Sequence, residues 1–340
     1  MHMKKSFLFL FLLSTLVAFA QEGCDETTGE PCKYEGLSYL IYPDTHEAVV
    51  DNYNSWTGEL EIPSVIVYNG QEYTVTGIKW LAFYQCEELT RVRIPKTIKD
   101  IRHYGFEDCK NPFDECTNLE YIEVDEDNPS MCSIDGALFS KDKTQLYCYP
   151  AGAKRDTYIV PDGVTWVGGD AFACNSYLVS INMPNSVNHL SFGVFKGCKN
   201  LKSVTLSKSI PRIAASTFEK CESMTFLDIP ENVTDFEESV FRWTHFEKIV
   251  IRGIFSEELR RDTFYRMDDA TILYVQPSEI EKFKKVYTGT VLSLEEYIDG
   301  IEQVKLRQPS SIIFDLQGRR LNDKPSKGIY IQNGKKVVIK

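Results

Sequence analysis

Catalytic and metal-binding signatures are missing from this 340-residue sequence. The ten cysteines form no C-x-x-C pair, and His46, His103, His189 and His245 are scattered with no metal-ligand spacing. Neither G-x-S-x-G nor G-x-x-x-x-G-K-[ST] occurs. The expectation is therefore a non-enzymatic chain without cofactor or metal. Basic residues are also in deficit, 38 against 49 acidic, for a net charge of −11. Phosphate contacts dominate nucleic-acid affinity, so a nucleic-acid partner is not expected. Beyond the first twenty residues, no apolar run is long enough to span a bilayer.

Those first twenty residues have the pattern of an export signal. Lys4 and Lys5 precede an apolar stretch from Ser6 to Val17, and Ala18-Phe19-Ala20 forms a small-residue cleavage site before Gln21. The expectation is cleavage between Ala20 and Gln21. The mature chain would then be exported, at the cell surface or secreted, with the periplasm as the remaining compartment. Cys24 and Cys32 flank a polar segment outside any repeat. In an exported chain they are candidates for a local disulfide.

What the sequence does contain is a repeat. Phe83 and Phe106, and then Phe172, Phe195, Phe218 and Phe241, follow one another at intervals of 23 residues. Cys86, Cys109, Cys198 and Cys221 each lie three places after a phenylalanine. Val92/Ile94, Ile181/Met183, Val204/Leu206 and Leu227/Ile229 hold the places nine and eleven after one. A repeat of this length with an L-x-x-[IV]-x-[IL] core has the leucine-rich pattern. Each coil is too small to bury its own apolar face, so coils must stack. The expected fold is a mainly β solenoid with short turns and helices, a 23-residue period and a parallel strand stack. The recurrent cysteine is read as a packing position.

The expected organisation is a signal peptide at 1–20 and an N-terminal segment with a capping hairpin at 21–79. Repeats follow at 80–253, interrupted by a hairpin insertion at 125–158. A C-terminal cap is expected at 254–290, a linker or short helix at 291–303, and a small β module at 304–340. Within these, Asn69-Gly70 is a hairpin turn signal and residues 21–36 look turn-prone. Ser278-Glu-Ile-Glu281 has the form of a capping box for a helix that Gly289 would close. Phe246, Ile249 and Ile251 suggest a last coil shortened by one residue. Residues 304–340 carry +7 and the remainder −18, an asymmetry suggesting a separate terminal module.

Between the inward strand positions lies one outward residue per coil: Arg93, Glu123, Asn182, Thr205 and Asp228, with Val250 in the shortened coil. Arg91, Tyr121 and Phe226 stand just before the inward strand residue. These side chains are the candidate partner-binding surface, with Tyr121 and Phe226 as aromatic anchors. Trp56, Trp80, Trp166 and Trp243 would serve a glycan only if they formed a platform.

Residues about 60–290 resemble the BspA-like leucine-rich-repeat family of bacterial surface and secreted proteins. Ile62-Pro63, Ala82-Phe83-Tyr-Gln-Cys86, Val92-x-Ile94-Pro95 and the inserted Ser133-Ile-Asp-Gly-Ala-Leu-Phe-Ser140 carry the likeness. The resemblance implies an extracellular array engaged in adhesion or in binding a host, matrix or other surface protein. A glycan-binding or periplasmic scaffold module is the alternative. The tail from Ile312 to Ile339 resembles C-terminal sorting modules of exported Bacteroidetes-type proteins.

Overall fold

A computed structural model describes residues 29–52, 55–102 and 111–298, together with the strands Ile313–Phe314, Arg320–Leu321, Gly328–Gln332 and Lys335–Ile339. The expected signal peptide, its cleavage site at Ala20 and Gln21, Cys24, Phe106 and Cys109 lie outside the described residues. Within them, short strands dominate and Ile280–Lys284 is a short α-helix.

The L-x-x-I-x-I stretches form parallel strands that pair in three groups. Gly58–Glu61, Leu89–Ile94 and Tyr121–Val124 pair in that order. Thr157–Ile159, Ser180–Asn182 and Ser203–Thr205 form a second group. Phe226–Ile229, Lys248–Ile251, Ile272–Val275 and Thr290–Ser293 form a third. Alternate residues point inward because successive side chains on a strand face opposite ways. Val92, Ile94, Leu227 and Ile229 are accordingly buried, whereas Arg93 and Thr205 are exposed. Proline, which has no N–H for a ladder, follows the strands at Pro95, Pro184 and Pro230. The second apolar pair of each coil makes another parallel row, for example Trp166–Val167 with His189–Leu190 and Arg212–Ile213 with Asp235–Phe236.

The return segment carries the ring column. Phe172, Phe195, Phe218 and Phe241 have centroids 5.7, 5.5 and 6.1 Å apart in succession, and all are fully buried. The column is longer than its phenylalanines up to 241 suggested. Tyr149 adjoins Phe172 at 5.3 Å, and Phe264 stacks on Phe241 at 5.6 Å with Tyr287 5.3 Å beyond. Phe264 restores the 23-residue step after Phe241, so the one-residue slip at Phe246 is made up within the same coil. Near the N-terminal end, Phe113 stacks on Phe83 at 5.4 Å.

Two left-handed residues flank the ring in these coils. Two places before it stand Asp170, Ser216 and Ser239, with φ of 53°, 54° and 57°. Two places after it stand Glu115, Cys174, Lys220, Trp243 and Arg266, with φ from 56° to 59°. These reversals let a short segment turn round the ring. The recurrent cysteines are buried, and their thiols do more than fill space. Cys116, Cys198 and Cys221 Sγ donate to the carbonyls of Phe83, Phe172 and Phe195 at 2.9, 3.0 and 3.2 Å. Each bond therefore ties one coil to an earlier one. Burial pushes the Cys198 thiol up to about 12, which keeps it a donor.

Several expectations about the ends and the insertion are corrected. Residues 21–36 were expected to be turn-prone, but Glu30–Tyr34, Leu37–Tyr42 and Glu47–Val50 form an antiparallel meander. Alternate residues of Leu37–Tyr42 are buried, the pattern of a strand with one face on the core. The Asn69-Gly70 turn joins Val65–Tyr68 to Gln71–Lys79, with φ of 51° and 78° at the two turn residues. Leu60-Glu-Ile-Pro63 lies outside that hairpin. It opens the parallel row, Leu60 pairing with Val92. The insertion is a three-strand meander of Met131–Ile134, Ala137–Ser140 and Gln145–Cys148. Its last strand runs parallel to Trp166–Val167.

Two apolar clusters result, one spanning residues 32–148 and one spanning 137–291. The meander contributes Leu138 and Cys148 to the first, and Phe139 and Leu146 to the second. At the far end Ser278 does not cap a helix, which begins at Ile280 without a side-chain cap bond and ends at Lys284, well before Gly289. Buried Glu279 instead accepts from the Phe255 backbone at 3.2 Å and pairs with Lys282 at 2.9 Å. The linker or short helix expected at 291–303 begins inside the strand Thr290–Ser293, which pairs with Ile272–Val275 because Val291 faces the core, and turns helical at 294–298. In the tail, the order Arg320–Leu321, Ile313–Phe314, Gly328–Gln332 and Lys335–Ile339 makes an antiparallel sheet.

Candidate functional site

Strand pairing gathers the candidate residues into separate groups. In the first, Glu61, Arg93 and Glu123 lie in one file and Arg91 and Tyr121 in the neighbouring one, with Glu59 beside Arg91. Arg91 Nη2 lies 3.3 Å from Glu123 Oε2, and Arg93 reaches Glu61 at 3.7 Å and Glu123 at 3.9 Å. The Arg91 guanidinium sits 5.0 Å from the centre of the Tyr121 ring. Glu59, Leu60, Glu61, Arg91, Arg93 and Glu123 line a cleft of about 470 Å³. Exposed pairs of this kind are each worth about 0–1 kcal/mol, so exchanging them for bonds to a partner costs little. The sequence reading missed Glu59 and Glu61. The signal was present in Leu60-Glu-Ile-Pro63, which repeats Val92-Arg-Ile-Pro95.

Asn182 and Thr205 sit side by side in the second group, with Ile159 next to Asn182 and 65% exposed. The outward row is not continuous between Glu123 and Asn182. Ile122 N–H donates to the Gly136 carbonyl at 2.9 Å, and Val124 N–H to Ser133 Oγ at 3.3 Å. The inserted hairpin therefore occupies the far edge of the Tyr121 strand. It packs so tightly there that a Cβ at Gly136 would lie 2.6 Å from the Tyr121 ring.

The third group is already engaged within the chain. Arg252 holds Asp228 through two bonds of 2.7 and 2.8 Å. Phe226 stacks on Tyr297 at 6.5 Å, Tyr297 contacts Tyr274 at 5.1 Å, and Lys248 Nζ lies 5.7 Å from the Phe226 ring centre. Residues 294–298 are helical, and Ser293 and Glu296 cap them: Ser293 N–H donates to Glu296 Oε1, and Glu295 N–H to Ser293 Oγ, both at 3.1 Å. Val250, expected to face outward, is fully buried. It pairs between Asp228 and Tyr274, and the Tyr297 ring closes over this part of the face.

Among the described residues, Trp56, Trp166 and Trp243 stand in separate surroundings. Trp56 donates to the Glu59 carbonyl and packs on the N-terminal cluster, Trp166 stacks on His189, and Trp243 lies among cations. Cys32 is buried in its strand, with its thiol pushed up by burial.

A buried charged group sits beside the ring column. Asp114 and Asp170 are almost inaccessible, and one oxygen of each has no hydrogen-bond partner among the described residues. Burial pushes Asp114 up to about 6 and Asp170 well above the usual carboxylate range. Burial opposes the charge on Lys196, but Asp170, Asp114, Glu115 and Glu219 outweigh it and hold that pKa above its usual value. A carboxyl raised on folding favours the folded state below its unfolded pKa, and that advantage fades as pH rises through about 6. Asp114→Asn should therefore gain stability on the wild type between pH 4 and pH 7, by on the order of 1–3 kcal/mol. Urea midpoints at both pH values measure this; a constant difference would refute it.

Short parallel strands stacked coil on coil, with one recurrent ring per coil, define a leucine-rich-repeat protein. The chain belongs to the BspA type leucine rich repeat family, whose model matches in six copies over residues 70–111 and 142–271. No match was found among curated proteins. Among solved structures, the chain is similar to the pneumococcal vaccine antigen PcpA at 16% identity and a TM-score of 0.46, covering 79% of this chain and 99% of that one. It is similar to a leucine rich cell surface protein from Faecalibacterium prausnitzii at 17% and 0.45, covering 77% and 98%. A leucine-rich repeat protein from Bacteroides ovatus aligns at 21% and 0.45, covering 77% and 67%. Among the described residues no helix is long and apolar enough to cross a membrane.

Proposed function

We propose that this chain is an exported, non-enzymatic solenoid of 23-residue coils that binds a protein at the bacterial cell surface. The partner would be a host or matrix protein or another surface protein. The observation that carries this reading is the open group around Arg91, Arg93, Tyr121 and Glu123, where exposed ion pairs and an aromatic ring line one cleft. Residues 1–20 support export, and the +7 tail supports a sorting role for residues 304–340. Phe226 and Asp228 have a lesser part than sequence alone gave them, because Tyr297 and Arg252 already occupy them.

The test is a binding screen of the purified chain against matrix and surface proteins by biolayer interferometry. Arg91→Glu with Arg93→Glu should weaken a captured partner about tenfold or more and slow its association, while the melting temperature stays nearly constant. Undiminished binding by that variant would remove the site from this face.

A further inference from the structure

We infer a second binding surface on the turn edge of the C-terminal coils, suited to a carbohydrate polymer bearing carboxylate or sulfate groups. The return segments place Glu219-Lys220, Arg242-Trp243 and Tyr265-Arg266 directly after the column rings Phe218, Phe241 and Phe264. Backbone bonds keep them in file: Lys220 N–H donates to the Arg242 carbonyl at 2.9 Å, and Trp243 N–H to the Arg266 carbonyl at 3.0 Å. Lys220, Trp243 and Arg266 thus hold one position in three successive coils, all with left-handed backbone.

Cations surround the rings of this edge. Arg242 lies 3.8 Å, Lys220 5.0 Å and Arg266 5.5 Å from the Trp243 ring centre, and Arg266 is 5.2 Å from that of Tyr265. The one carboxylate within this group, Glu219, is buried and reaches Arg242 at 3.9 Å. Neither Lys220 nor Arg266 makes an ion pair among the described residues. Three like charges are thus held together in a chain of net charge −11, with two of them unneutralised. Such an arrangement costs folding energy through repulsion and is relieved by a bound anion.

The rings decide the kind of anion. Tyr265 is 47% exposed, and Trp243 is half-buried between the cations. Coils repeat at the strand spacing of about 5 Å, so cation and ring alternate along the edge at short intervals. An acidic sugar chain offers the complement, C–H faces for the rings and regularly spaced anions for the cations. An acidic peptide uses the cations and leaves the rings unmatched.

The experiment is calorimetric titration of the full chain with polygalacturonate, dextran sulfate, neutral dextran and poly-glutamate. Binding of polygalacturonate or dextran sulfate, weakening with salt and absent for dextran, is the expected result; the two polymers separate carboxylate from sulfate recognition. Lys220→Glu with Arg266→Glu should reduce that binding about tenfold or more, a loss of about 1.4 kcal/mol. Tyr265→Ala should weaken the polysaccharide several-fold. Arg266→Gln gives the same direction if the double variant folds poorly. Arg91→Glu with Arg93→Glu should leave this binding unchanged, which separates it from the strand-face site. The inference is overturned if no acidic polysaccharide binds, if the edge variants bind undiminished, or if poly-glutamate binds as tightly.

Discussion

Phe218→Ala is expected to lower the unfolding free energy by about 3–5 kcal/mol, as removal of a fully buried ring does. The ring is 0% exposed and lies between Phe195 at 5.5 Å and Phe241 at 6.1 Å. Its loss would empty a place in the column that neither neighbour can fill, because both are held by their own partners in the stack. Phe226→Ala is the control. That ring is 37% exposed on the strand face, so its removal should cost much less. Denaturant midpoints measured side by side decide the matter. Equal shifts for the two variants would mean that the column carries no special share of the stability.

Gly253→Ala should be nearly as damaging, about 3 kcal/mol or more, at the upper end of overpacking costs. A Cβ there would sit 1.8 Å from the Val233 carbonyl oxygen and 2.9 Å from its carbon. The obstacle is backbone of the preceding coil, so no side-chain rotation relieves it. The comparison is Gly163→Ala, where φ is +92° but no atom lies within 4 Å of the added Cβ. That change pays only for the unfavourable conformation, about 1–2 kcal/mol. If Gly163→Ala proves the worse of the two in urea unfolding, coil-to-coil contact at Gly253 is looser than the geometry implies.

The repeat was legible because several residue classes keep one step, and the inward pattern of Val92, Ile94, Leu227 and Ile229 followed directly from it. Its full extent was harder to read. Tyr149 and Tyr287 occupy ring positions with a different residue, and Phe264 is hidden behind a one-residue slip in its own coil. The meander of residues 30–50 carries no repeat signal, and its alternation Leu37, Tyr39, Ile41 has to be read as a strand by itself. Outward strand positions were also legible locally. What local pattern does not contain is who covers them: Tyr297, some seventy residues away, stacks on Phe226 and contacts Tyr274, and Arg252 of the next coil takes Asp228. The basic edge around Trp243 was missed for a related reason. Its members are 23 residues apart and differ in type, so only stacking reveals them as neighbours.

The meander at 131–148 gives one residue to each cluster in turn, Leu138 to the N-terminal side and Phe139 to the C-terminal side. It therefore works as a splice between two stretches of a one-dimensional stack. In such an assembly each coil senses only its neighbours, and a fault in one stretch stays there unless the junction transmits it. This junction is built from antiparallel strands that place Leu138, Tyr147 and Cys148 on one side and Ala137, Phe139 and Leu146 on the other, so neither side can open its end coil without stripping the other of packing. An array that would otherwise melt in two pieces is thereby made to hold or fail together.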